Sequence, residues 1–383
     1  MRKVIKAAYL HIPFCEHICH YCDFNKVFLK NQPVNEYLQH MDVEMKKTVE
    51  RFPTENLDTI FVGGGTPTSL SASQLEVFLT SIHKHLPFQK ETVEFTFEAN
   101  PGDLTNDKLK VLKDFHVNRL SFGVQSFNDE LLKRIGRSHR AKDVFKSITN
   151  AREVGFENIS IDLIYSLPDQ TVEDFEETLK TALALEMEHY SAYSLIIEPK
   201  TVFYNLMNKG KLPLPSQEEE ARMYEVLLEE MAKHHYHQYE ISNFAKVGLE
   251  SRHNITYWAN EQYYGIGAGA HSYVQGVRRA NAGPLTHYMK SIEETGFPYK
   301  EEHNVTVQEQ MEEEMFLGLR KTEGVSQSHF KEKFGKGLDD VFSKEIQEHV
   351  EKGLLQWNGE QLCLTKKGKF LGNEVFQSFI GVN

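Results

Sequence analysis

Between residues 7 and 195 the chain alternates, six times over, a short apolar run of strand character with a longer amphipathic stretch. Strands are read at 7–12, 57–62, 92–98, 119–124, 158–164 and 189–195, and helices at 34–49, 73–85, 107–115, 141–154 and 172–185. Asn100-Pro101-Gly102 is a turn signal and Gly155 a helix stop. Alternation at this spacing predicts a parallel sheet with right-handed crossovers. Six units are too few for a closed eight-fold barrel. An open, curved partial barrel fits the count, and so does a doubly wound sheet.

After Pro199 the rhythm changes. Residues 217–234 form a long helix with a Glu-rich face, and a glycine run follows at Gly265-Ile266-Gly267-Ala268-Gly269-Ala270. The acidic run Glu312-Glu313-Glu314 is expected on a solvated helix face. Near the C-terminus, helices at 308–322, 326–334 and 342–352 precede a hairpin turning at Asn358-Gly359. Helices followed by a two-stranded wing suggest a winged-helix-like α+β appendage. The expected organisation is 1–200 for the β/α array, 201–305 for its extension and 306–383 for the appendage. DNA binding does not follow from such a wing, and Lys366, Lys367 and Lys369 are weak support for it.

Charge points the same way. Lys plus Arg number 43 against 55 Asp plus Glu, so the formal net charge is 43 − 55 = −12. No bulk attraction to nucleic acid or an anionic membrane is expected. No apolar run is long enough to span a bilayer, and Met1 to Lys6 lacks a secretory h-region. The expected location is the reducing cytoplasm.

Four cysteines are present, and Cys15, Cys19 and Cys22 lie close together while Cys363 stands alone. Three close thiols in a reducing compartment indicate a metal or a cluster. Cys363, in an alternating strand-like segment, reads as a small buried hydrophobe rather than a fourth ligand. The C-x3-C-x2-C loop follows directly on the first strand. Such a loop can wrap three corners of a [4Fe–4S] cube and leave one iron open to an outside N/O chelate. Zinc held by the three thiolates plus His17 or His20 is the competing reading.

Tyr9-x-His11-Ile12-Pro13-Phe14-Cys15 with the C-x3-C-x2-C spacing resembles the radical S-adenosylmethionine (SAM) superfamily. The resemblance implies the partial (β/α)6 barrel and a cluster whose open iron holds the methionyl amine and carboxylate of SAM. Electron transfer from that cluster cleaves a C–S bond of SAM in the family. By the same resemblance, Gly64, Gly65 and Thr66 in Val62-Gly63-Gly64-Gly65-Thr66-Pro67 contact the SAM amino group. Glu98, Gln125 and Asp162 fall at or near carboxyl ends of strands, where β/α folds build sites. Glu98 and Asp162 suit ribose hydroxyls, and Arg137 suits the SAM carboxylate through a bidentate fork. Tyr21 is placed to stack on adenine, Tyr9 to line the site, and Ile196 to flank adenine through its backbone.

Within the superfamily, the residues resemble the branch containing oxygen-independent coproporphyrinogen III dehydrogenase and a related family of heme chaperones. The dehydrogenase has a fourth cysteine two residues past the third, a position held here by Phe24. It also carries an N-terminal extension, whereas this chain starts eight residues before Tyr9. His253-Asn254-Ile255-Thr256-Tyr257-Trp258 matches the H-N-x-x-Y-W motif associated with heme in the chaperones. Imidazole is a good axial ligand and aromatic rings pack on a macrocycle, so His253, Tyr257 and Trp258 are the heme candidates. Read without the resemblance, the segment is a strand with a buried His–Asn pair. His271 is a second candidate ligand. The resemblance implies a chaperone that binds heme beside a SAM-associated [4Fe–4S] cluster and passes heme to apo-hemoproteins, membrane respiratory ones included. The alternatives are a radical coproporphyrinogen III dehydrogenase of heme biosynthesis and a zinc-stabilised α/β scaffold.

Overall fold

In the computed structural model, which describes residues 4–382, the six expected strands lie side by side in sequence order, all parallel. The chain runs β1 (Ile5–Ile12), a two-residue pair β2 (Phe14–Cys15) and β3 (Val27–Phe28), α1 (Val34–Arg51), β4 (Thr59–Gly64), α2 (Ala72–His85) and β5 (Glu94–Ala99). It continues through α3 (Asn106–Asp114), β6 (Arg119–Gln125), α4 (Asp129–Arg134), α5 (Ala141–Val154), β7 (Asn158–Tyr165), α6 (Val172–Leu183) and β8 (His189–Ser194). Helix starts obey local chemistry. Ser71 and Gln74 close a capping box on α2, and Thr171 and Asp174 do so on α6. At the other end of α5, Gly155 takes φ 96°, a left-handed turn that a side chain would resist.

The strands alternate in a way that hollows the barrel. Ile60 and Val62, Phe95 and Phe97, Leu120 and Phe122, Ile159 and Ile161 point outward into one apolar core beneath the helices. The intervening positions on β5 to β8 are polar or small: Glu98, Ser121, Gly123, Asp162 and Ser191 line a single cavity. A parallel strand buried on both faces is normally apolar throughout. Polar residues on one buried face therefore mark a lumen that holds something other than core. The strand order has no reversal between β1 and β8, which excludes the doubly wound alternative.

The second half extends the sheet at both edges. After α7 (Val202–Met207) and α8 (Gln217–Lys233), the hairpin β9 (His237–Glu240) and β10 (Asn243–Ala245) adds antiparallel to β8. Then come α9 (Arg252–Trp258), β11 (Gln262–Ile266), β12 (His271–Val274), β13 (Val277–Asn281), α10 (Leu285–Thr295) and β14 (Tyr299–Asn304). β11 pairs parallel with β1, on the side away from β4, and β12 to β14 continue outward antiparallel. The result is one 12-stranded sheet. The 253–258 segment is a helix, α9, and not a strand, because Ser251 caps it by accepting from the Asn254 amide.

The C-terminal region builds a separate core from Met315, Phe330, Phe342, Leu362 and Phe379. It comprises α11 (Val307–Gly318), β15 (Val325–Ser326), α12 (Gln327–Phe334), α13 (Leu338–Glu351), β16 (Leu355–Asn358) and β17 (Gln361–Leu364). The Asn358-Gly359 hairpin forms the expected wing, with β15 completing a three-stranded sheet. The acidic run is not solvated. Glu312 and Glu314 are buried, Glu313 pairs with Arg278 at 2.5 Å, and Glu314 bonds Lys333. Glu313 and Glu314 face partners on β13 and α12, and Glu312 accepts from Gln308 and the Gly381 amide, which removes the need for water.

Candidate functional site

The lumen and the loops above it enclose a cavity of about 550 Å³ that runs from the three clustered cysteines to Asn254. Cys15 ends β2, so the loop carrying Cys19 and Cys22 starts at the carboxyl end of the sheet. The loop is held by its surroundings: the Val27 amide donates to Pro13 O at 2.8 Å and the Leu29 amide to Cys15 O at 2.9 Å. Asn25 Nδ2 donates to Ala268 O and Gly283 O, tying the loop to the glycine run before β12. All three thiols are free. Burial pushes the Cys15 thiol up to about 11 and raises Cys22 as well.

A chain of hydrogen bonds links two of these sulfurs. Arg137 Nη1 donates to Cys19 Sγ at 3.4 Å, and its Nη2 donates to Asn100 Oδ1 at 2.9 Å and to Gly123 O. Asn100 Nδ2 donates to Thr66 Oγ1 at 3.1 Å, and Thr66 Oγ1 donates to Cys15 Sγ at 3.6 Å. The fork expected to take a ligand carboxylate is thus directed at the cysteine loop and its neighbours. Lys26 lies on the same wall and donates to Cys22 O.

Deeper in, the Gly64 amide donates to Glu98 Oε2 at 3.1 Å. Enclosure by the barrel walls, reinforced by the nearby Asp162 charge, lifts the Glu98 carboxyl to about 8. Asp162 is raised by the same enclosure, against bonds from Ser191 and Ser121 that hold its charged form. Gln125 sits at a register shift between β6 and β7 with φ 67°. That left-handed conformation is costly for a residue with a side chain and is found at sites that exploit it. Tyr21 lines the cavity with Cys19, and Ile196 lines its mouth, 66% exposed. Tyr9 stands one layer back: it stacks on Phe61, which lines the cavity, and shares a 2.9 Å hydrogen bond with His11 Nδ1.

Helix α9 closes the opposite end of the lumen. The Arg252 and His253 amides donate to Glu94, the first residue of β5, at 2.9 and 3.0 Å. His253 is buried, with Nδ1 bonded to Thr59 Oγ1 at 2.8 Å and Nε2 to Tyr257 OH at 3.0 Å. Its ring stacks beneath Phe61 at 5.0 Å. Trp258 lies under the Arg320 guanidinium from the turn after α11, 5.1 Å from the ring centroid. Of this motif only Asn254 reaches the cavity; His253, Tyr257 and Trp258 do not line it. His271 is exposed on β12, and Cys363 donates to Glu323 O at 3.1 Å in the C-terminal core.

The sequence relationships accord with this geometry. The Radical SAM superfamily profile matches residues 9–182, and the HemN C-terminal domain profile matches residues 305–371. The "Heme chaperone HemW" of Bacillus subtilis is 58% identical over 98% of this chain and 100% of its own length. The protein of the same name from Lactococcus lactis is 47% identical, over 98% of this chain and 97% of that one. The chain belongs to the HemW family of radical SAM proteins. Among solved structures, coproporphyrinogen III oxidase (HemN) from Escherichia coli superposes with a TM-score of 0.87 at 23% identity, covering 99% of this chain and 91% of that one. That likeness establishes the fold of this HemW-family chain.

A radical SAM domain implies a [4Fe–4S] cluster and SAM, and the residues present fit both. Three free thiols face one cavity from a single loop, a soft donor set suited to iron–sulfur ligation. A Cβ on Gly65 would lie 2.9 Å from Cys15 Sγ and 2.8 Å from Pro13 O, so that position is kept bare beside the sulfur. The cavity continues past Glu98 and Asp162, which supply acceptors for hydroxyl groups. Three further residues of the site were not singled out as site candidates in the sequence. Asn100 bridges Arg137 to Thr66, Lys26 flanks the thiols, and Arg119 lies inside the lumen. Arg119 had a readable signal: an arginine opening a strand that carries Leu120, Phe122 and Val124.

Proposed function

We propose that this chain binds heme beside a SAM-associated [4Fe–4S] cluster and passes it to apo-hemoproteins, respiratory enzymes among them. The observation that carries the reading is kinship along the whole length with proteins named heme chaperones, against a likeness to the coproporphyrinogen oxidase that extends to fold alone. Cys15, Cys19 and Cys22 would ligate the cluster, and Gly64, Gly65, Thr66, Glu98, Gln125 and Asp162 would position SAM. When bound, the cluster supplies a low-potential electron and an open iron. The chain's own residues shape the pocket, keep Cys15 and Cys19 hydrogen-bonded and hold the carboxylates.

The cavity mouth supports a large apolar ligand. Phe24 is 62% exposed on the lining, with Ile196 and Tyr193 also exposed there. Phe24 takes the place of the extra cysteine that marks the dehydrogenase, so oxidative decarboxylation of coproporphyrinogen is not the activity we assign. His253, Tyr257 and Trp258 enter the heme reading on one condition. Iron cannot coordinate an imidazole whose two nitrogens are both hydrogen-bonded, so ligation by His253 requires one of its partners, Thr59 or Tyr257, to let go, while the other keeps its bond. Among the described residues no helix is long and apolar enough to cross a membrane, so a membrane client would be met from the surface. The reading also needs a reducing compartment such as the cytoplasm, where the thiols stay available to iron.

The test is anaerobic heme transfer. Protein reconstituted with iron and sulfide is loaded with heme, mixed with an apo-cytochrome, and separated. The Soret band should move to the acceptor fraction. Heme retained by the loaded protein, or protoporphyrinogen formed from coproporphyrinogen, SAM and reductant, would overturn the assignment.

A further inference from the structure

Among the described residues two arginines line the cavity, Arg119 and Arg137, and only Arg137 is matched to acceptors. Arg279 pairs with Glu302 at 2.6 Å, Arg278 with Glu313 at 2.5 Å, and Arg137 with Cys19, Asn100 and Gly123. Arg119 is 2% exposed and forms no ion pair among the described residues, and its Nε has no hydrogen-bond partner. It opens β6 on the same face as Ser121, Gly123 and Gln125, and it lines the cavity with them. Its guanidinium therefore sits in the lumen.

The two carboxylates in the lumen attract Arg119 but form no ion pair with it among the described residues. Glu98 accepts from the Gly64 amide, and Asp162 from Ser121. Below lie His189 and His253, whose ring nitrogens bond Ser160 with Tyr239 and Thr59 with Tyr257. None of these offers Arg119 a second anion. A desolvated guanidinium that shares its surroundings with two carboxylates, Glu98 and Asp162, but pairs directly with neither is a costly arrangement in a protein interior. Its planar fork matches a carboxylate better than any other common anion but phosphate.

We infer that Arg119 is the anchor for a carboxylate of the ligand that fills the lumen. Two ligands of the proposed function carry that group: SAM through its amino-acid carboxylate, and heme through its propionates. The heme source rests on the heme-chaperone reading; the SAM source does not.

Four measurements separate them. Reconstituted wild type is titrated with heme and with heme dimethyl ester, whose propionates are masked. It is also titrated with SAM and with decarboxylated SAM. The same four are repeated on Arg119→Met and Arg119→Lys, with thermal melts to show that the variants fold. An apolar replacement of similar length at a buried unpaired charge is expected to fold. If a propionate is held, wild type prefers heme over its ester at least tenfold and Arg119→Met loses the preference. If the SAM carboxylate is held, the tenfold preference and its loss appear for SAM over its decarboxylated form. Lysine, with charge but no fork, should recover part of either preference.

The inference is overturned if wild type shows neither preference, or if both survive in Arg119→Met. Arg119 would then only balance Glu98 and Asp162. Failure of wild type to bind heme or its ester would instead defeat the heme reading, while the SAM titrations still judge Arg119.

Discussion

His253 and Thr59 share a 2.8 Å hydrogen bond that fastens the helix under the barrel to the opening residue of β4. The contact turns a ligand candidate into a brace. Tyr257 holds the other ring nitrogen, and burial lowers the imidazole to about 3, so it is neutral at any physiological pH.

Removing that brace should be felt as stability. His253→Ala leaves two hydroxyls unpaired beside a new void and should cost about 2–4 kcal/mol in urea denaturation. The pH dependence has a definite sign. An unfolded histidine titrates near 6.5, and the folded one near 3. Its contribution is complete above the unfolded value and is lost as pH falls from there toward 3. The stability gap between wild type and His253→Gln should therefore narrow below pH ~6.5, by up to about 1.4 kcal/mol per pH unit. A constant gap would mean that the ring takes up its proton as readily folded as unfolded.

Gly65→Ala tests the cysteine loop. The new Cβ would press on the Pro13 carbonyl, which is backbone, and on Cys15 Sγ, a side-chain atom, so the sulfur must give way. Iron and sulfide after anaerobic reconstitution should fall to roughly half or less of wild type, with the melting temperature little changed, since surface-loop strain costs only about 1–3 kcal/mol. Full cluster content would show that the sulfur moves without penalty.

Glu98→Gln addresses the carboxylate pair. The substitution keeps the shape but removes the charge that would accept ribose hydroxyls. SAM affinity of the reconstituted protein should drop about tenfold, the size of one charged hydrogen bond. Because the Glu98 carboxyl is lifted to about 8, the charged form grows in as pH rises through that value. Wild-type SAM affinity should therefore climb between pH 7 and 9 relative to the glutamine variant. A parallel pair of profiles would exclude Glu98 as the acceptor.

Arg320 joins the C-terminal core to the motif helix. It covers Trp258 at 5.1 Å and Phe376 at 4.8 Å. In a Trp357→Phe background, Trp258 is the sole emitter of the two tryptophans. Arg320→Ala should then shift its emission to the red and speed amide exchange in α9, for a loss of about 1–2 kcal/mol. Unaltered emission would mean that the two regions are held together by other contacts.

The parallel array was legible because its signals are local. Alternation, the Asn100-Pro101-Gly102 turn and the Gly155 stop each act within a few residues. The cysteine loop and the Gly64–Thr66 turn were legible for the same reason, being short motifs at strand ends. What escaped depends on long-range placement. β11 was hidden by the glycine run that follows it, and nothing local says that residues 262–266 return to lie beside β1. Glu312 and Glu314 looked solvated because their partners lie far away in sequence or on the next helix. The 253–258 segment has the aromatic and β-branched content of a strand, yet the Ser251 cap and the Glu94 carboxylate at its first turn make it a helix. Arg137 was found, but not that its fork is spent on Cys19 and Asn100.

The position of β1 between β4 and β11 has a consequence for biogenesis. The strand that launches the cysteine loop gains its second flank only when Gln262–Ile266 are in place, and Asn25 cannot grip Ala268 and Gly283 any earlier. A nascent chain on the ribosome thus displays its three thiols long before their frame exists. Maturation with iron and sulfide must follow translation of at least two-thirds of the polypeptide, and donor machinery that acted sooner would meet a loop still without walls.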